Sequence, residues 1–185
     1  MKIKILNIFF VILPFLTFAQ QDAIYLTQNG SIYFKSDAPL ELIEANSNAL
    51  KGAIDPRKNT FAFTVSIASF EGFNSPLQKE HFNENYLESN EFKTASFSGK
   101  IIEKTDLTKD GTYSVRAKGE LKVHGVKQER IIKSTVTVKD GKLFLESSFS
   151  VLLKEHNIPV PKIVYQKIAE EIQVEVKAGF TFSAP

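Results

Sequence analysis

The stretch Phe61-Ala62-Phe63-Thr64-Val65-Ser66-Ile67-Ala68 decides the fold class. Successive side chains of a strand point to opposite faces. Phe61, Phe63, Val65 and Ile67 therefore share an apolar face, and Ala62, Thr64, Ser66 and Ala68 share the other. Working outward, Tyr113, Val115, Ala117, Gly119, Leu121 and Val123 alternate with Ser114, Arg116, Lys118, Glu120 and Lys122. Leu143, Leu145, Ser147, Phe149, Val151 and Leu153 form a third apolar face. Ile172, Val174, Val176, Ala178, Phe180 and Phe182 form a fourth. Strands that are apolar on one side and polar on the other belong to antiparallel sheets with one face packed and one face wet.

Shorter strands are expected at about 31–36, 40–45, 48–54, 94–104 and 128–138, which makes eight or nine in all. Asn29-Gly30, Asp110-Gly111 and Asp140-Gly141 are dipeptides that favour tight hairpins, because both residues tolerate positive φ. Two segments break the alternation. Ser75-Pro76-Leu77-Gln78 combines a capping serine, a proline at the first helical position and a glutamine three residues after the cap. A helix should run from there through His81 and Phe82, with a second turn around Tyr86-Leu87. Between His156 and Ala169, Pro159 and Pro161 interrupt strand pairing, and Ile163, Lys167 and Ile168 fit a helical turn.

The N-terminus reads as an export signal. Met1-Lys2-Ile3-Lys4 precedes an apolar run from Ile5 to Phe18 that is broken by Asn7, Pro14 and Thr17, and small Ala19 follows. A spanning helix needs about 20 apolar residues, so residues 1–19 are expected to be a signal peptide cut after Ala19. Residues 20–185 then form a single domain in the periplasm or outside the cell, with no transmembrane segment. The chain has 23 basic and 21 acidic side chains; losing Lys2 and Lys4 leaves 21 of each sign. A neutral, well-mixed surface offers nucleic acid no basic footprint. The absence of cysteine excludes a disulfide framework, thiolate chemistry and a lipidated cysteine.

Long antiparallel strands can bury one apolar face in a sandwich or in a closed barrel; several expected strands of about ten residues favour a barrel. Ala117, Gly119, Ser134, Ser147 and Gly99 are small residues in the middle of apolar faces. They leave a void inside unless the phenylalanines, twelve of them beyond Ala19, fill it. The pattern alone leaves both outcomes open.

His81-Phe82-Asn83-Glu84-Asn85-Tyr86-Leu87-Glu88-Ser89, followed by Phe92-Lys93-Thr94-Ala95-Ser96-Phe97-Ser98-Gly99, resembles the helix-then-strand passage of YceI-like proteins. Gly119-Glu120-Leu121-Lys122-Val123-His124-Gly125-Val126 is similar to that family's strand and His-Gly-Val turn, and Ile32 to Ser36 is similar to its opening strand. The likeness covers about 23 to 182 and departs at Asp37-Ala38-Pro39-Leu40-Glu41-Leu42. It implies an all-β fold, an eight-stranded antiparallel lipocalin-like barrel with one or two short helices near its mouth. It also implies a polyisoprenoid-binding role: an isoprenoid or related long-chain lipid, such as a quinone tail, held in an apolar interior, in an exported protein.

For such a cavity the lining candidates are Phe61, Phe63, Val65, Ile67, Phe97, Ile101, Val115, Ala117, Gly119, Phe149 and Val151. One five-carbon unit buries roughly 3–4 kcal/mol of apolar transfer energy. Micromolar binding needs about 8 kcal/mol net of ordering costs, so about four or more units must be enclosed. His124 has two readings: it pins its own turn, with Gly125 at positive φ, or it meets a lipid head group at the mouth. No catalytic set is expected. His81, His124 and His156 lack metal-ligand spacing, and there is no nucleophile elbow or phosphate-binding glycine loop. His81 and Glu84 read as a surface pair rather than a metal site. No cofactor is called for beyond the lipid itself. Three functional classes follow: a lipid carrier, an exported scaffold barrel without a small-molecule ligand, and a small hydrolase or isomerase using His81 or His124 as base. Exposed strand edges leave a homodimer open.

Overall fold

A computed structural model describes residues 24–183; the expected signal peptide and its cut lie outside them. The described chain is a closed barrel of eight antiparallel strands, each hydrogen-bonded to its neighbours in sequence. They are β1 (Ile24–Asp37), β2 (Leu42–Asp55), β3 (Thr60–Ser66), β4 (Thr94–Ile101), β5 (Gly111–Val123), β6 (Val126–Lys139), β7 (Lys142–Leu152) and β8 (Glu171–Ser183). β8 closes the circle on β1, where Tyr33 stands between Asn46 of β2 and Glu175 of β8. Closure removes the free edges that an open sheet would have to protect.

The two ends of the barrel differ. At one end the connections are short or packed inward, and the barrel is filled. Tyr25, Ile54, Phe61, Val115, Val136, Val138, Leu143 and Phe180 form one buried cluster there, with Leu107 of the 102–110 connection pressed fully into it. At the other end lie the long connections. The 67–93 passage carries α1 (Pro76–His81) and a π-helical turn over Phe82–Tyr86; the 153–170 passage carries 3-10 turns at Leu153–His156 and Lys162–Val164. Ser75 caps as read, its Oγ accepting from Gln78 N at 3.2 Å; Gln78 reaches back one residue further than a capping box does, its Oε1 accepting from Asn74 N at 3.0 Å. This end is the mouth.

The mouth is wide because two ladders stop halfway. β2 and β3 pair only between Lys51↔Thr64 and Asp55↔Thr60. β6 and β7 pair only from Lys139↔Lys142 to Ser134↔Ser147. Above the first split, Asn46 and Glu71 exchange backbone hydrogen bonds of 2.8 Å each. Above the second, Arg130 donates to Ser150 O at 2.8 Å and pairs with Glu155 at 3.0 Å, while Gln128 Nε2 donates to Glu155 O at 2.7 Å. Strands freed from their neighbours splay; a backbone bridge to the 67–93 connection holds the first seam, and side chains hold the second.

Several sequence expectations change here. Asn29-Gly30 makes no hairpin: it lies inside β1 at a bulge, where pairing with β2 shifts register on both sides of Gly30. Such an irregularity uses the same permissive residues as a turn, which is why the two read alike. Segments 40–45 and 48–54 are one strand, β2. Asp110-Gly111 ends a nine-residue connection rather than a tight turn. The tight hairpins are Asp140-Gly141, with φ of 51° and 71°, and His124-Gly125, with φ of 49° and 73°. Positive φ at both central residues is the two-residue turn that matches strand twist. The stretch Asp37 to Leu42 is the β1–β2 hairpin, closed by Ala38 and Glu41.

Gly119 needs a larger correction. It faces Gly99 across β4 and β5, but it lines no interior space. A Cβ on Gly119 would run into the Ser98 carbonyl and reach 3.1 Å from Gly99 Cα; a Cβ on Gly99 would run into the Lys118 carbonyl. The two glycines let the backbones touch. They fill the place where the pattern suggested a void, and Gly119 borders an outer groove beside Lys118, Glu120 and Lys127.

Candidate functional site

Two connected spaces lie above the filled end. The inner one is a slot of about 100 Å³, walled by Phe61, Phe63, Val65, Phe97, Ile101, Val115, Ala117 and Phe149 among others. No charged side chain lines it; the hydroxyls at its wall include Ser134 and Ser147, which hydrogen-bond each other at 3.1 Å. Rings narrow the slot: Phe61 and Phe97 lie 4.8 Å apart between centroids, and Phe61 and Phe63 lie 5.8 Å apart. The phenylalanines thus fill part of the barrel and leave part open, so each of the two readings holds at its own height.

The outer space is a chamber of about 490 Å³ between the splayed strands and the mouth connections. That volume lies within the usual range of ligand pockets, whereas the slot alone falls below it. Ile32, Val65, Ala95, Leu121 and Phe149 border both spaces and ring the throat between them. Ile67 and Val151 line the chamber. Beneath α1 its wall is aromatic: Phe34 stacks on Phe82 at 5.4 Å, and Phe73 and Phe70 lie 5.0 and 5.8 Å from Phe82. Leu87, Ile158, Ile168 and Ile172 complete the apolar wall. Charged groups gather only at the rim. Gln78 Nε2 donates to Glu41 Oε1 at 2.9 Å, and His81 and Lys167 stand exposed at the opening.

The structure therefore brings ten of the eleven lining candidates to the two spaces and leaves Gly119 outside. Residue alternation found those on regular strands. It missed Phe34, Phe70, Phe73, Phe82, Leu87, Ile158 and Ile168. Most of these sit on connections, where no period of two marks the inner side. The spacing of Phe82 and Tyr86, four apart on one helical face, was the signal available.

His124 does not reach the chamber. Its Nδ1 donates to the His156 carbonyl at 3.0 Å, its Nε2 lies 2.6 Å from Glu88 Oε2, and the Phe92 ring packs edge-on at 4.5 Å. Both ring nitrogens are engaged, so the imidazole ties the β5–β6 hairpin to two mouth connections. The head-group reading of His124 falls away for that reason. Among the described residues, no three histidine or acidic side chains gather to hold a metal ion. No helix among them is long and apolar enough to cross a membrane.

His156 is fully buried beside the same hairpin, with Nδ1 3.3 Å from the Val126 carbonyl. Burial lowers its pKa, against the opposing pull of the Val126 and Val123 carbonyls and of Glu155; Arg130 adds to the lowering. The unfolded chain then binds a proton near the ordinary value of about 6.5 while the folded chain resists it. The contribution of His156 to stability should be flat above that pH and fall as pH drops below it, since the unfolded state binds more protons there. Denaturant midpoints across this window should show the slope, and His156→Asn should flatten it. An unchanged slope would assign the acid sensitivity to other groups.

Comparison with known proteins agrees with this architecture. A polyisoprenoid binding domain from Saccharophagus degradans, implicated in plant cell wall breakdown, superposes with a TM-score of 0.69 at 11% identity, covering 90% of this chain and all of that one. BcnA of Burkholderia cenocepacia gives 0.67 at 14% identity, covering 81% and 95%. The YCEI protein of Campylobacter jejuni gives 0.55 at 12% identity over the whole of both chains. No curated protein matches the sequence. Residues 27–180 match the model of the YceI-like domain, and the chain belongs to that family.

Proposed function

We propose that this protein is an exported carrier that holds a long-chain lipid, of isoprenoid or quinone-tail type, with its tail in the slot and its polar end at the rim. The observation that carries the reading is the gradient along one path. The slot is uncharged, the chamber is aromatic and aliphatic, and Glu41, His81 and Lys167 stand only where the chamber opens. An amphiphile with one extended tail fits that gradient. Binding of this kind draws on burying methylene groups, each contributing about 0.8 kcal/mol, and needs no catalytic group. The Saccharophagus degradans domain supports the same class of ligand. Export rests on the sequence of residues 1–19, and with it a place in the periplasm or beyond the cell.

Organic extraction of the purified, folded protein followed by mass spectrometry tests the reading directly. A lipid carrying a long hydrocarbon chain, near one per barrel, is the expected result. A folded protein that yields no lipid, and takes up none when offered polyprenol or ubiquinone, would overturn it in favour of a scaffold barrel.

A further inference from the structure

We propose that the mouth of the barrel docks on a lipid bilayer through a crown of exposed apolar side chains. The crown comes from three separate connections. Leu40 sits in the β1–β2 hairpin, Leu77 in the first turn of α1, and Ile163 and Tyr165 in the segment after Pro161. Their exposures are 67%, 56%, 91% and 62%. Ile163 is the most exposed large apolar residue described, and Leu40 is the next. Leu42, on the same rim, is exposed as well.

The crown is held in place. Leu40 N donates to Gln166 O at 2.8 Å, which binds the hairpin to the segment carrying Ile163 and Tyr165. Gln166 Nε2 donates to the Tyr165 hydroxyl at 2.8 Å. Proline before Leu77 and before Lys162 limits the backbone on both sides of the opening. Grouped apolar side chains kept in water in this way mark a surface that meets something else.

A bilayer fits best because the crown encircles the opening of the chamber. Leu77 belongs to both: it is exposed on the crown and lines the chamber. Val164, Lys167 and Ile168, next to the crown residues, line the chamber too. Whatever covers the crown therefore lies at the path by which a tail would enter or leave. The chain enters and leaves the barrel at the opposite end, where Ile24 pairs with Ser183. Charge on the mouth connections is mixed: Lys162, Lys167 and Glu170 lie on the segment before β8, and Asp37 and Glu41 lie at the β1–β2 hairpin. Docking should thus depend on apolar insertion and little on anionic lipid, with the lysines reaching toward head groups. As a delivery device the crown rests on the lipid-carrier reading; as a docking surface it does not.

The protein contains no tryptophan, so a single one reports its surroundings cleanly. Ile163→Trp should shift to shorter emission wavelength on phosphatidylcholine vesicles and be quenched by brominated lipid. Ile131→Trp, 56% exposed on the mid-barrel strand β6, should do neither. The signal should survive high salt, which screens exposed charges. Replacing Leu40, Ile163 and Tyr165 together with serine should lower vesicle binding about tenfold or more, with the unfolding midpoint held. No vesicle-dependent change at Ile163→Trp would overturn the proposal. So would self-association of the free protein that the triple serine variant abolishes, because the crown would then be a contact between copies. Vesicle docking by a barrel that never carries lipid would leave the crown standing and sink the carrier reading. Lipid cargo without docking would do the reverse.

Discussion

Gly119→Leu should disrupt folding of the barrel rather than its cargo, while Ala117→Leu, two residues away on the same strand, should do the opposite. Both positions fall on the apolar face of β5 in the alternation of the sequence. At Gly119 the first added carbon would overlap the Ser98 carbonyl, and the neighbouring surface is the Gly99 backbone. Backbone held by two ladders yields far less than a side chain would. Overpacking of this kind costs about 1–3 kcal/mol and sometimes more, and a collision with main chain belongs at or above the top of that range. For a chain of this size, 3 kcal/mol corresponds to roughly 6–12 °C in the unfolding midpoint. Ala117 instead borders the open slot, so leucine there occupies empty space and should alter stability by less than about 1.5 kcal/mol. Its effect should appear as lost or shortened lipid in the extract. Thermal unfolding and extraction of both variants check the pair. Equal, small shifts in midpoint would mean that the glycines do not set the approach of β4 and β5.

That contrast shows where residue alternation stops informing. Alternation assigns a side of the sheet, and it did so correctly for Phe61, Val115, Ala117 and Phe149. It carries no information about how near the opposite backbone comes, so Gly119 and Ala117 looked equivalent. The closed end was legible because it is made of regular strands with buried alternate residues. The chamber was legible only in part. Its outer wall comes from the 67–93 and 153–170 connections, whose apolar residues follow no fixed period. Phe70 and Phe73 are placed by the way their loop crosses back to Asn46, a contact between residues far apart in sequence. Asn29-Gly30 failed for a related reason. Gly suits a bulge as well as a turn, and only the pairing of both neighbouring strands decides between them. The Asp140-Gly141 turn succeeded because its two residues sit directly between paired strands and both take positive φ.

The throat gives the second large effect. Ala95→Phe should cut retention of a long tail by about a hundredfold while leaving the barrel folded. Ala95 is the smallest of the five residues that border both slot and chamber, and it faces Val65 across β3 and β4. A phenyl ring there has the chamber to expand into, carries no polar atom to strand, and joins an aromatic wall that already contains Phe97 and Phe149. It closes the slot to a tail entering from the mouth. Excluding one five-carbon unit from burial forfeits roughly 3–4 kcal/mol, and each 1.4 kcal/mol is a factor of ten in affinity. The chamber stays open, so a ligand that needs only the chamber should still bind. Extraction of Ala95→Phe should then yield either less lipid or a shorter chain, and Ala117→Leu should move the result the same way from the other side of the throat. Wild-type amounts of the same lipid in both variants would place the tail outside the slot and confine the site to the chamber.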